Sequence, residues 1–413
     1  MVAYYHITTL PHESESIMKN QLLHTPDGVR DIYNGECQKK LLLQEKLHHV
    51  QQKYGYHDIQ TPTFEFFNIF SSEIGTTPSK DLYKFFDKEG NTLVLRPDFT
   101  PSIARSAAKY YLEEKMPVKL CYMGNTFINS SDYQGRLKES TQCGAELIGD
   151  ASVGADAEIL AMACDSLLEC GLKNFQISVG HAQFFAGLVE AAKLDSEQES
   201  DLRDLILNKN FFGVEEFVDN LNLPSELKEL FMMLGNFDSK AEDLNNAKTK
   251  AANYPAVYEA ICSLENLSKY LDIYGISKYI SFELGLISDY HYYTGIIFSG
   301  YTFGTGEPIL KGGRYDKLLN HFGKEASAIG FGIVVDQLMA ALNRQDISLP
   351  INNNSTIIVY TQNKAEEAIT RAIKLRKQGI FVEMILKDEL NSKEDYSNYA
   401  HQHHINKVEF MED

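Results

Sequence analysis

The chain has 413 residues, 44% hydrophobic and 23% charged, long enough for two or three domains with a real core. A formal charge of −18 argues against a nucleic-acid-binding protein, which must neutralise phosphates with basic surface, and no Lys/Arg cluster offsets it; the alternative is that the charge only maintains solubility. No stretch reaches about 18 uninterrupted apolar residues, so no membrane span is expected.

The N-terminus lacks the charged start and apolar run of a signal peptide. The six cysteines, Cys37, Cys121, Cys143, Cys164, Cys170 and Cys262, show neither a C-x-x-C pair nor metal-like spacing. They read as buried thiols of a cytoplasmic protein, with no metal and no cofactor expected.

In chain order, residues 24–34 form a Pro/Gly-punctuated entry loop. Residues 36–53 then place Leu43, Leu47 and Val50 on one helical face, with Gly55 as the stop. An extended stretch at 56–62 leads to P-T-F-E at 62–65. Residues 92–95 read as a strand, and R-P-D-F-T-P at 96–101 enters a helix that runs through Ala108. Residues 120–127 and 141–148 read as a strand pair joined by the polar loop 128–140. A helix over 156–170 carries Ile159, Ala163, Leu167 and Cys170 on one face and stops at Gly171, before a strand at 175–179.

Residues 183–275 are helical and polar, with acids outnumbering bases two to one over 190–250. The acidic composition reads as a solvated surface, and the segment ends in the helical stripe Val257, Ile261, Leu264, Leu267 and Leu271. Strands are expected at 280–284, at 292–298, where Tyr292 and Tyr293 occupy consecutive positions, and at 328–333, with a turn at 312–316 and a helix over 335–342. An Asn/Pro linker near 350–355 precedes a β-α-β pattern at 357–386 and a short tail. His401, His403 and His404 read as solvated tail residues rather than a metal cluster.

Residues 122–149, Y-M-G-N-T-F-I-N-S-S-D-Y-Q-G-R-L-K-E-S-T-Q-C-G-A-E-L-I-G, resemble the second signature motif of class II aminoacyl-tRNA synthetases, most closely the histidyl enzyme. P-T-F-E resembles the first motif, and A-I-G-F-G-I-V-V-D-Q-L at 328–338 the third. The resemblance implies an α+β fold with an antiparallel sheet flanked by helices. It divides the chain into a synthetase-like unit (1–182 and 276–345), a helical insertion (183–275) and a truncated anticodon-binding-like β-α-β unit (351–413).

It also implies a set of histidine ligands: Asp98 and Thr100 in R-P-D-F-T, Gln142 and Glu146 in T-Q-C-G-A-E, and Tyr292 and Tyr293 in H-Y-Y-T-G. Carboxylate and hydroxyl acceptors suit an α-ammonium, while an imidazole wants a donor, an acceptor and an aromatic wall. Gln142 and Glu146, four apart in an extended run, share a face. Other readings stand beside these. Asp98 can cap the helix after it, and one tyrosine of the pair can belong to the core.

The departures concern phosphate. Ile128 stands where the synthetase motif has its α-phosphate arginine, Ser130 where it has a glutamate, Gln337 where the third motif has an ATP-clamping arginine, and Ser288 where the histidyl enzyme has a catalytic arginine. An aliphatic side chain cannot replace an arginine fork. Each lost charge costs about 10²–10³ in rate, so joint loss abolishes adenylation. A cation for a ligand carboxylate then has to come from Arg96, Arg105, Arg136 or a partner.

This pattern resembles the regulatory-subunit paralogues of the histidyl enzyme that serve ATP phosphoribosyltransferase. That resemblance implies a non-catalytic protein, a hetero-octamer with a short-form catalytic subunit, a homodimer through the synthetase-like unit and feedback inhibition by histidine. An active adenylating enzyme and an RNA-binding module are the competing readings.

Overall fold

A computed structural model describes residues 23–70, 77–129, 137–235, 241–288, 292–350 and 354–412. Its centre is an eight-stranded sheet whose core is antiparallel and whose two ends close with parallel pairs. The strands are β1 (His57–Asp58), β5 (Val118–Phe127), β6 (Glu139–Ile148), β7 (Phe175–His181), β8 (Ile280–Phe282), β9 (Ile296–Thr302), β10 (Leu310–Arg314) and β11 (Ala328–Val334). Their spatial order is β1-β5-β6-β11-β10-β9-β7-β8. A small antiparallel sheet of β2 (Phe64–Phe66), β3 (Lys84–Phe86) and β4 (Thr92–Leu95) sits beside it, with β4 in the middle.

The two-residue period of β6 decides what each face of the large sheet does. Cys143, Ala145 and Leu147 point into the main apolar core. Helices α1 (Asn34–Lys53) and α3 (Val153–Glu169) bury Leu43, Leu47, Ile159 and Ala163 in that same core. The Ser152 side chain caps α3 by accepting from the Ala155 amide at 3.2 Å. The opposite face carries Gln142, Gly144 and Glu146, and α2 (Thr100–Tyr110) packs there through Phe99, Ile103 and Ala107.

The segment after β7 folds into α4 (Ala182–Ala192), α5 (Ser196–Leu207), α6 (Phe211–Asp219), α7 (Ser225–Met232), α8 (Ala241–Lys250) and α9 (Pro255–Tyr274). The stripe of α9, Val257 to Leu271, is buried in the main core, so these helices and the sheet share one apolar interior. After α10 (Val335–Arg344), the C-terminal unit has two small cores of its own. It exceeds the expected β-α-β pattern. Beyond β12 (Ser355–Tyr360), α11 (Ala365–Lys377) and β13 (Phe381–Leu386), the presumed tail folds into α12 (Lys393–Gln402) and β14 (Lys407–Met411). Strand β14 joins β12 in parallel, and Tyr396 and Ala400 of α12 bury themselves against β12.

Two further expectations need correction. Residues 310–314 form a strand, not a turn, and Tyr292 and Tyr293 lie in the connection before β9 rather than on it. Gly312 and Gly313 have no side chains, so the Phe298 and Tyr293 rings lie directly on the β10 backbone; a Cβ at either glycine would come within 2.4 and 2.7 Å of them.

Candidate functional site

The site is built on the face of β6 that α2 covers, opposite α1 and α3. Glu146 is buried at its centre. Its Oε1 accepts from the Thr100 hydroxyl at 2.9 Å, and its Oε2 from the Tyr315 hydroxyl. Thr100 reaches it because R-P-D-F-T turns into α2 at that residue. Tyr315 reaches it from the end of β10, across 169 positions of sequence.

Glycines in β11 make room for the polar groups of β6. Gly330 and Gly332 are the neighbours of Glu146 and Gly144 in the ladder. A Cβ on Gly330 would fall 1.6 Å from the Glu146 carboxylate, and one on Gly332 would fall 2.0 Å from Gln142 Nε2. Any larger residue at either position would displace these side chains.

Gln142 donates to the Tyr122 hydroxyl at 3.3 Å, and Tyr122 stacks on Phe99 with ring centroids 4.4 Å apart. Tyr292 and Tyr293 tilt against each other at 4.6 Å, and Tyr292 meets Tyr315 edge-on at 5.8 Å. Asp98 does not cap α2. Its Oδ1 accepts from the adjacent Phe99 amide at 2.7 Å, and its charge is felt at Glu146 and Tyr122. The structure thus brings Asp98, Thr100, Gln142, Glu146, Tyr292 and Tyr293 around Tyr122 and Tyr315. Sequence reasoning missed these last two. Tyr122 was legible as the position facing Gly144 across the hairpin, whereas Tyr315 carried no signal beyond following two glycines.

Burial sets the electrostatics. It pushes the Glu146 carboxyl up to about 8, against the hydrogen bonds from Tyr315 and Thr100, and the charge of Asp98 adds to the rise. The phenols of Tyr122 and Tyr315 are held well above their ordinary value, first by burial and then by the nearby Glu146. At neutral pH the protonated form of Glu146 is therefore favoured, beside hydroxyls and aromatic rings, a setting able to trade a hydrogen bond or a proton with an imidazole.

The positions that would face phosphate are different. Ile128 follows the last residue of β5, 39% exposed, with its amide donating to the Lys138 carbonyl. Gln337 is in the first turn of α10. Ser288 lies in the connection between β8 and β9, where Arg203 of α5 donates to its carbonyl oxygen at 3.4 Å. Two of the cations considered as replacements have other work. Arg96 lies over the Phe99 ring and donates to the carbonyls of Asn125, Thr61 and Pro62, and Arg105 pairs with Glu65 at 2.6 Å. Ser130 and Arg136 lie outside the described residues.

A pocket of this kind, beside phosphate positions without arginines, directs the comparison to known proteins. The chain matches the histidyl-tRNA synthetase family over residues 28–338. It is 38% identical to the ATP phosphoribosyltransferase regulatory subunit of Acetivibrio thermocellus, over 88% of this chain and 86% of that one. The chain belongs to the ATP phosphoribosyltransferase regulatory-subunit family. The regulatory subunit of Clostridium novyi is 35% identical over 94% of this chain and 92% of its own.

Among solved structures, an ATP phosphoribosyltransferase regulatory subunit/histidyl-tRNA synthetase from Bacillus halodurans superposes on this regulatory-subunit fold with a TM-score of 0.83. It is 30% identical, and the match covers 94% of this chain and 98% of that one. The histidyl-tRNA synthetase of a Nostoc species shares the fold at a TM-score of 0.77 and 18% identity, over 93% and 90% of the two chains. Among the described residues, no helix of this family member is long and apolar enough to cross a membrane.

Proposed function

We propose that this regulatory-subunit family member is non-catalytic, works in the cytoplasm with a short-form ATP phosphoribosyltransferase catalytic subunit, and binds histidine as a feedback effector in the pocket around Glu146. One observation carries the reading. Five of the six residues expected to hold histidine lie around the sixth, the buried Glu146 carboxyl, while Ile128, Gln337 and Ser288 offer no positive charge to phosphate.

In this reading Glu146 and the tyrosine wall hold the imidazole, and Asp98, Thr100 and Gln142 receive the α-ammonium. A pocket that binds the amino acid without consuming it can bias a two-state assembly by its differential affinity. The assembly is a hetero-octamer built on homodimers of the regulatory chain. The exposed Phe64 and Phe66 of β2 and Phe85 of β3 share one face of the small sheet, with the Phe64 and Phe85 rings edge-on at 5.7 Å, and form an apolar patch suited to that homodimer.

The test is a phosphoribosyl-transfer assay of the short catalytic subunit with and without this chain, titrated with histidine. Activation that histidine reverses is expected, with Glu146→Ala and Tyr293→Phe relieving the inhibition. ATP-dependent pyrophosphate exchange by this chain, with no effect on the catalytic subunit, would overturn the reading.

A further inference from the structure

Away from this pocket, on the helix-covered face at the edge of the large sheet, three side chains of different chemistry meet. His48 comes from α1, Asp58 from the short edge strand β1, and Cys121 from β5. Asp58 and Cys121 are partners across the β1–β5 ladder, which aligns their side chains on one face, and α1 lays His48 over them. One ligand atom from each lies within 4.8 Å of the others. His48 Nε2 is 2.6 Å from Asp58 Oδ1, and Cys121 Sγ is 3.6 Å from the same oxygen.

The arrangement has a closed floor and an open roof. Cys121 is fully buried, while the His48 and Asp58 side chains are 36% and 64% exposed. From these positions we propose that His48, Asp58 and Cys121 bind a single thiophilic divalent cation, with zinc the best match.

Sulfur, imidazole nitrogen and carboxylate oxygen are the three donor types zinc accepts, at about 2.3, 2.0–2.1 and 2.0–2.2 Å. A tetrahedral ion at those lengths sets sulfur and oxygen about 3.5 Å apart, close to the observed Cys121–Asp58 separation. The imidazole and carboxylate, now at hydrogen-bond distance, have to part by under about 1 Å, and their exposure leaves them free to do so. Three protein ligands leave the fourth position to water. The harder oxygen-loving cations, magnesium and calcium, are disfavoured by the thiolate. Binding displaces the thiol proton to solvent.

The site was invisible to cysteine spacing because its ligands stand ten and 63 positions apart on separate elements. The three C-terminal histidines, His401, His403 and His404, form no such group among the described residues. The ion would fasten α1 to the sheet edge beside the first-motif segment.

The experiment uses the full chain, untagged and stripped with chelator, titrated with cobalt(II) as the spectroscopic probe and then with zinc. A 1:1 complex is expected, with a near-ultraviolet thiolate-to-cobalt charge-transfer band and visible tetrahedral bands that zinc abolishes. Cys121→Ser should remove the charge-transfer band, and His48→Gln, at a half-exposed helix position, should raise the zinc Kd by about tenfold or more. Circular dichroism checks that each variant folds, and His48→Gln answers the question alone if Cys121→Ser does not. Absence of the thiolate band in the wild type, its survival in Cys121→Ser, or unchanged zinc affinity in His48→Gln would each overturn the site.

Discussion

Glu146 is the residue on which the pocket's chemistry turns. Burial raises it to about 8, which favours the protonated form at neutral pH. A bound histidine and this carboxyl can share one proton, as acid plus imidazole or as carboxylate plus imidazolium. Free histidine carries an extra imidazole proton below about pH 6.5, which must leave on binding. Above about 8 the free carboxyl is already ionised and the complex must take a proton up. Histidine affinity should therefore be flat between those limits and fall by up to about tenfold per pH unit on either side. Calorimetric titration from pH 5.5 to 9 checks this. Glu146→Gln should weaken binding by about tenfold or more and erase the alkaline fall, leaving the acidic one. The period of β6 made Gln142 and Glu146 legible as neighbours on one face. The carboxyl's shift was not legible, because it arises from burial among segments distant in the chain, which outweighs the hydrogen bonds from Tyr315 and Thr100.

At the scale of elements, the most consequential segment is β10 with the residues that follow it. Arg314 at its end donates to Asp156 of α3 through Nε at 2.9 Å and through Nη2 at 2.6 Å, with both side chains buried. Its guanidinium also reaches the carbonyls of Asp150 and Ser152, while its own carbonyl accepts from the Thr294 amide at 2.8 Å. The side chain thus ties the sheet to α3, while the backbone of the same residue holds the loop bearing Tyr292 and Tyr293. Arg314→Ala would leave a buried carboxylate without its partner and should cost about 3–5 kcal/mol, read as a lower urea midpoint. The Asp156→Leu/Arg314→Met pair should recover much of that loss, because the desolvated charges vanish together. The glycine pair at 312–313 reads as a turn in one dimension. It is a strand because aromatic rings from β9 and the loop before it occupy the space that side chains would fill. Strands β4, β5 and β6 and helices α1 and α3 were legible because their hydrophobic period agrees with their environment.

For the whole molecule, the proposed homodimer gives a direct expectation. Phe64 and Phe66 flank the buried Glu65 on β2 and stay exposed, with Phe85 of β3 on the same face. Burying two such rings is worth about 3–6 kcal/mol. The double change Phe64→Asp/Phe66→Asp should weaken self-association by about a hundredfold or more, read by light scattering during size exclusion, without lowering the thermal midpoint of the C-terminal unit. If the dimer persists unchanged, its interface lies elsewhere.

The sequence by itself determined the fold class, through periodicity and three motifs in order. It also determined the missing arginines, since Ile128, Ser288 and Gln337 carry no positive charge in any conformation. Only the tertiary structure decided that Arg96 and Arg105 are committed to backbone carbonyls and to Glu65. It alone put Tyr315 in the pocket wall, folded the last residues into α12 and β14, and gathered His48, Asp58 and Cys121 at one point. The physical reason is range. Local pattern reports a residue's own element and face, whereas burial, proton affinity and ligand geometry come from groups brought together across tens to hundreds of positions.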